Sequence, residues 1–281
     1  MIRRSVVAGT FYPGTHDQLH ETVQSYFNTL GGLPEPGTPR SIGGLVPHAG
    51  YLYSGQVAAY TFHAFRKQLP ETFIIMGPNH TGLGSGVAIM TFGSWETPLG
   101  TIEIDSEMAK QLYEACEIMD DDKTAHSREH SIEVQLPFLQ YIGGKTFVPI
   151  SMGMQDSDSA QEVGEAIATV CKNRSVGILV SSDLTHFGAG YGFVPSVDDP
   201  LKWMECVDTE ILTAITSLSP ERIYKAAKET TACGYGCIAS MIIACKSLGL
   251  TTGSILEYRT SYDVSKDSNH IVGYGSAIIT G

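Results

Sequence analysis

Three short apolar runs constrain this chain most, because each one leads into a loop carrying a side chain that can bind metal or move a proton. Ile42-Gly43-Gly44-Leu45-Val46-Pro47 ends in His48, Phe73-Ile74-Ile75-Met76-Gly77-Pro78-Asn79 ends in His80, and Val176-Gly177-Ile178-Leu179-Val180-Ser181-Ser182 ends in Asp183 and then His186. In an open α/β sheet, parallel strands deliver their carboxyl ends to one rim, and ligands bind there. Three imidazoles and a carboxylate at three strand ends predict one metal or catalytic site.

The rest of the pattern supplies the helices such a sheet needs. Val57, Thr61, Phe62, Phe65 and Leu69 mark a helix near 54–69, and Met108, Leu112 and Ala115 mark one beginning at Ser106. Further helices fit 129–142, 158–172, 201–217 and 220–229, and another runs from after Cys233 to near Gly249. Strands fit near 87–92, 101–104, 146–151, 253–259 and 271–279, with Gly93–Gly100 as a turn region. Thr15 followed by Gln18 resembles a capping box at the head of a first helix. The alternation predicts a three-layer α/β/α fold with a mostly parallel or mixed central sheet. At 281 residues the chain suits one large core, a single domain over 1–281.

A net charge of −12 argues against a nucleic-acid or anionic-membrane surface. No stretch approaches the length of a membrane span, and the N-terminus lacks the long apolar core of a secretory signal. The chain reads as soluble and cytoplasmic. Its six cysteines contain no C-x-x-C pair and are scattered through helical patterns, which argues against a disulfide framework and a four-cysteine zinc site. The glycine-rich segments at 82–86 and 188–192 lack the Gly-Lys-Ser/Thr ending of a phosphate loop. The glycine–aromatic stretch 187–195 suits either a mobile cover over a site or a surface loop.

Cys233 stands just before a helix, where backbone N–H groups and the helix dipole favour a thiolate, hence a soft metal ligand or a nucleophile. Cys237, Met241 and Cys245 follow at helical spacing and read as core. His126 and His130 would share a helix face with Glu129 and Glu133 interleaved, but the order is not that of the zinc proteases. His130 is the member of that pair assigned to the site. His16, His20 and His63 read as surface residues, and His270 stays unassigned.

Val46-Pro47-His48-Ala49-Gly50-Tyr51-Leu52-Tyr53-Ser54-Gly55, Met76-Gly77-Pro78-Asn79-His80, Glu129-His130-Ser131-Ile132-Glu133, Ser181-Ser182-Asp183-Leu184-Thr185-His186-Phe187-Gly188 and Ala232-Cys233-Gly234-Tyr235-Gly236 resemble, in this order, the Memo family. The resemblance runs from Val6 to the C-terminus. It implies a fold similar to the class III extradiol ring-cleaving dioxygenases, which hold non-haem Fe(II) with two histidines and a glutamate. Carried over, it puts His48, His80 and Cys233 on the metal, makes His186 the acid/base residue with Asp183 beside it, and has His130 lining the pocket. Iron- or copper-dependent redox activity and a part in receptor-driven cell motility are attributed to members of the family. Prokaryotic relatives belong to a system that includes an AMMECR1-like protein and a radical-SAM protein, so these are the partners it implies. A cysteine in place of the glutamate softens the site toward copper.

Three functions follow as expectations. The first is a metal-dependent oxidoreductase, dioxygenase-like, acting on a small molecule. The second is a non-catalytic protein that holds a metal or a peptide on the same fold. The third is a cysteine-nucleophile hydrolase using Cys233, His186 and Asp183.

Overall fold

The computed structural model describes residues 1–38 and 40–281. Four of the apolar runs form its centre. Strands Thr146–Met152, Thr72–Pro78, Val176–Ser181 and Ile42–Val46 lie side by side in that order, all parallel. All but Thr146 at one end are buried, as expected of parallel strands covered on both faces. The sheet continues with antiparallel neighbours. Ile271–Thr280 pairs with Ile42–Val46, and Thr252–Thr260 pairs with Ile271–Thr280. On the other side Gly100–Ile104 runs parallel to Thr146–Met152, then come Ser94–Thr97 and Ile2–Arg3.

Two adjacent glycines show the three layers directly. A Cβ on Gly43 would meet the Cys245 sulfur at 2.5 Å, whereas one on Gly44 would meet Phe65 at 2.5 Å. Successive strand residues point to opposite faces, so the helices Tyr235–Ser247 and Tyr51–Gln68 cover opposite sides. At Gly43 and Gly44 they press so closely on the strand that a side chain there would clash. His16–Asn28 and Leu136–Tyr141 join the Tyr51–Gln68 layer, while Ser106–Ala115 and Ser157–Cys171 join the other. The single-domain α/β expectation is borne out.

The differences are local. The helix expected over 129–142 is instead a turn, a short 3-10 segment Glu133–Gln135 and a helix Leu136–Tyr141. Two carboxylates cause the break: Glu129 accepts the amides of His130 and Ser131, and Glu133 accepts those of Val6 and Val7. A side chain that takes its neighbours' amides competes with the helix ladder. The turn region at 93–100 is a hairpin, with Ser94–Thr97 paired to Gly100–Ile104. Thr15 bonds the Gln18 side chain and makes no side-chain bond to the helix backbone, so no capping box forms.

Candidate metal centre

Register sets the site. His48, His80 and Asp183 each stand two residues beyond the end of their strand, at one rim of the sheet. The loop that follows the short helix Lys123–His126 brings His130 to the same rim. One ring nitrogen or other donor from each of His48, His80 and His130 lies within 4.8 Å of the other two. His80 and His130 stack at 4.8 Å between centroids, and His48 stands edge-on to both, at 5.1 and 5.5 Å.

Hydrogen bonding assigns the protons. The Ser181 hydroxyl gives its single hydrogen to the Ser131 carbonyl at 2.6 Å and accepts from the Gln135 amide at 2.8 Å. His48 Nδ1, 3.0 Å from the same oxygen, must therefore donate. That leaves His48 Nε2 as a bare lone pair, and it points at the Cys233 sulfur 3.2 Å away. Glu129 does the same for His80. Its buried carboxylate accepts the His80 amide at 2.6 Å, His80 Nδ1 at 2.9 Å and the amides of His130 and Ser131 at 2.9 Å each. His130 Nδ1 lies 3.3 Å from the same carboxylate. Burial alone would push the Glu129 carboxyl up, but the bonds from His80 and the backbone outweigh it and hold it at about 2. Burial, then the nearness of His80 and His130, pushes His48 well below an ordinary histidine. Imidazoles whose Nδ1 is held by an acceptor are what a metal-ligating set looks like, because the outer partner fixes the ring orientation.

Cys233 is held from its backbone. Its amide donates to the Asp183 carbonyl at 3.3 Å, its carbonyl accepts from Gln155 at 2.8 Å, and Gly234 N–H donates to Ser182 at 2.8 Å. The helix dipole does not win at the sulfur. Burial pushes the Cys233 thiol up and the Asp183 charge adds to it. A thiolate at this position therefore needs a cation beside it, and the lone pair of His48 shows where that cation would sit. The donor set of imidazole nitrogens with one thiolate suits zinc, copper or iron.

A cavity of ≈ 490 Å³ opens over the cluster, walled by Phe11, Tyr53, Tyr191 and Tyr274 as well as by the three histidines, Asp183 and His186. His186 Nδ1 donates to the Leu184 carbonyl at 3.0 Å, so its Nε2 is the free lone pair. Asp183 accepts the His48 amide at 2.7 Å. Burial pushes its carboxyl up, against the pull of His186 and of that amide. It braces the His48 loop, and it makes no hydrogen bond to the His186 ring among the described residues. The hydrolase arrangement of Cys233, His186 and Asp183 is accordingly not formed, since the nitrogen facing the thiol belongs to His48.

A family model described as Memo-like protein matches residues 3–278. The chain belongs to the Memo-like family. A MEMO1 family protein of Methanopyrus kandleri is 43% identical over 290 residues, spanning 99% of each chain. Another from Nitrosopumilus maritimus is 41% identical, spanning 98% of each. Among solved structures, an uncharacterized protein from Escherichia coli K12 superposes with a TM-score of 0.58 at 13% identity, over 85% of this chain and 100% of that one. That likeness concerns the fold.

In this Memo-like chain the residues singled out from sequence, His48, His80, His130, Asp183, His186 and Cys233, do gather at one rim. The mutually close trio, however, is His48, His80 and His130, with Cys233 joined through His48. His126 is not at the site. It is fully buried against Trp95, with both ring nitrogens lacking a hydrogen-bond partner among the described residues, and burial lowers it to about 4. His270, unassigned from sequence, lines the outer cavity and pairs with Asp267 at 3.3 Å. Sequence reasoning missed Glu129, Ser181 and Gln135, the residues that set the proton positions. Glu129 had one usable signal, its place directly before His130 in a polar segment.

Proposed function

We propose that this Memo-like protein is a metal-dependent oxidoreductase, with His48, His80 and Cys233 as ligands of non-haem iron or copper and His186 as the proton-handling residue. One observation supports this: His48 and His80, each held at Nδ1 by Ser181 or Glu129, bring donor nitrogens close together, and the half-buried Cys233 thiol adjoins them through His48 Nε2 at 3.2 Å. His130 borders them, and the metal content of His130→Ala decides whether it is a further ligand. The ion would supply Lewis acidity and one-electron redox capacity. The chain supplies the rest. Phe11, Tyr53, Tyr191 and Tyr274 enclose a small organic substrate and keep water from much of it, and His186 Nε2 takes a proton from a substrate hydroxyl in the cavity. Among the described residues all six cysteines are free, which fits a reducing, cytoplasmic setting, and no helix is long and apolar enough to cross a membrane.

The test is anaerobic titration of reduced protein with Fe(II) and with Cu(I), followed by oxygen uptake on exposure to candidate substrates. His48→Ala, His80→Ala and Cys233→Ser are each expected to lower metal content sharply while circular dichroism stays unchanged. Unchanged metal content in all three overturns the ligand assignment. Tight metal binding with no oxygen uptake leaves a binding protein instead of an enzyme.

A further inference from the structure

The loop bearing Glu129 and His130 is not helical, and the carbonyls of His126 and Glu129 accept no backbone amide among the described residues. One side chain donates to both from the far end of the sequence. Arg3, in the edge strand Ile2–Arg3, is buried. Its Nε donates to the His126 carbonyl at 2.7 Å, its Nη2 to the Glu129 carbonyl at 2.6 Å, and its Nη1 to the Glu133 carboxylate at 2.6 Å. The guanidinium lies 3.9 Å from the Trp95 ring centroid, which fixes its plane. Glu133 completes the link by accepting the amides of Val6 and Val7 and the Tyr12 hydroxyl, all from the segment that follows Arg3. The same segment returns on the cavity side. Phe11 packs its ring 4.7 Å from that of His130, and its carbonyl accepts the Tyr51 amide at 2.8 Å, just past the His48 loop. Residues 3–12 thus grip the loop from behind through Arg3 and from the front through Phe11.

We propose that Arg3 is a positioning residue for the metal centre: it fixes the turn from which Glu129 orients His80 and presents His130. This rests on the metal-site reading above. Two physical points separate such a role from plain anchoring. A buried ion pair adds little net stability once desolvation is counted, so holding down the N-terminus is poor reason for one. A planar fork of five donors, moreover, satisfies two carbonyls and a carboxylate at once, which the point charge of lysine does not.

The experiment compares full-length wild type with Arg3→Met, Arg3→Lys and Glu133→Gln, using Co(II) as the metal probe followed by its absorption. Hydrogen exchange at the His80, His130 and Ser131 amides, the three that Glu129 accepts, is read on metal-free protein. Ile167→Ala, a core truncation in the helix Ser157–Cys171, serves as a control for lost stability. Arg3→Met is expected to weaken Co(II) binding roughly 10- to 100-fold, the range typical of lost outer partners, and to speed exchange at those amides. Arg3→Lys should recover part of both, and Ile167→Ala should change neither despite a lower Tm. Wild-type affinity and exchange in Arg3→Met overturn the proposal, as does a loss that Ile167→Ala reproduces at equal Tm. If Arg3→Met does not fold, the milder Arg3→Lys and Glu133→Gln carry the same two readouts. A wild type that binds no Co(II) defeats the metal reading, while the amide exchange still decides whether Arg3 sets the turn.

Discussion

Glu129 and Asp208 are both buried carboxylates, 1% and 0% exposed, yet the protein drives them in opposite directions. Glu129 is held at about 2 and Asp208 is pushed up to about 6. Their donors account for the difference. Glu129 accepts three backbone amides and an imidazole N–H. Asp208 accepts one amide and two hydroxyls, from Thr185 and Tyr258, with burial as the largest influence on it. Hydroxyls can turn to serve a neutral acid, whereas amides fixed in a loop serve an anion best. The region around Glu129 is thus built to keep a charge that aligns ligands. The region around Asp208, behind the strand end that carries Asp183 and His186, tolerates a neutral group.

The largest effect separating the two regions is in stability at different pH values. Asp208 is raised from 3.8 to about 6, so the folded state binds a proton that the unfolded state lacks between those values. Its contribution is whole below pH 4 and is lost as pH rises from 4 through about 6, a loss of about 3 kcal/mol by neutrality. Asp208→Asn keeps an acceptor for Thr185 without the charge. Urea unfolding should find the variant more stable than wild type at pH 7.5 by up to that amount, and equal to it near pH 4. A difference that does not change with pH would erase the contrast.

Next in size is Glu129→Gln. The amide offers one acceptor oxygen where the carboxylate offered two, and its NH₂ faces N–H donors. Metal affinity should fall roughly 10- to 100-fold, with unfolding free energy lower by about 1–3 kcal/mol for the donors left unpaired. Isothermal titration with Co(II) and thermal unfolding check the two arms. Retained affinity would mean that His80 keeps its orientation without the carboxylate.

What the sequence disclosed tracks how local each cause is. Runs such as Ile42–Val46 and Val176–Ser181 announce buried strands through composition alone, and a strand end fixes the rim where His48, His80 and Asp183 emerge. Cys233 was legible from its place before the helix Tyr235–Ser247, although the sign of the effect on its thiol was not, because burial depends on the packed whole. The broken helix at 129–142 was hidden for another reason. Its cause is a set of bonds to carboxylates, some reaching across about 130 residues to the Arg3 guanidinium and the Val6 amide, and these leave no periodic trace. His126 shows the same limit. Its spacing of four from His130 is real, but without a helix through both residues the spacing places them on different sides of the loop.

The smallest effect concerns Ser181, which plays for His48 the part that Glu129 plays for His80, but as a neutral acceptor. Ser181→Ala removes one bond from His48 Nδ1 and one from Gln135, and leaves the Ser131 carbonyl without its donor. His48 stays braced through its amide on Asp183, so only the ring loses its guide. Metal affinity should fall about tenfold, at the lower end for lost outer partners. The ring should also cease to favour one tautomer, which long-range proton–nitrogen correlation spectra of the metal-free protein read directly. In wild type they should show His48 protonated at Nδ1 and bare at Nε2. A serine variant that keeps that tautomer would mean the Cys233 thiol, donating to Nε2 from 3.2 Å, sets it unaided, and the two sides of the centre would then differ more deeply than a charged against a neutral acceptor.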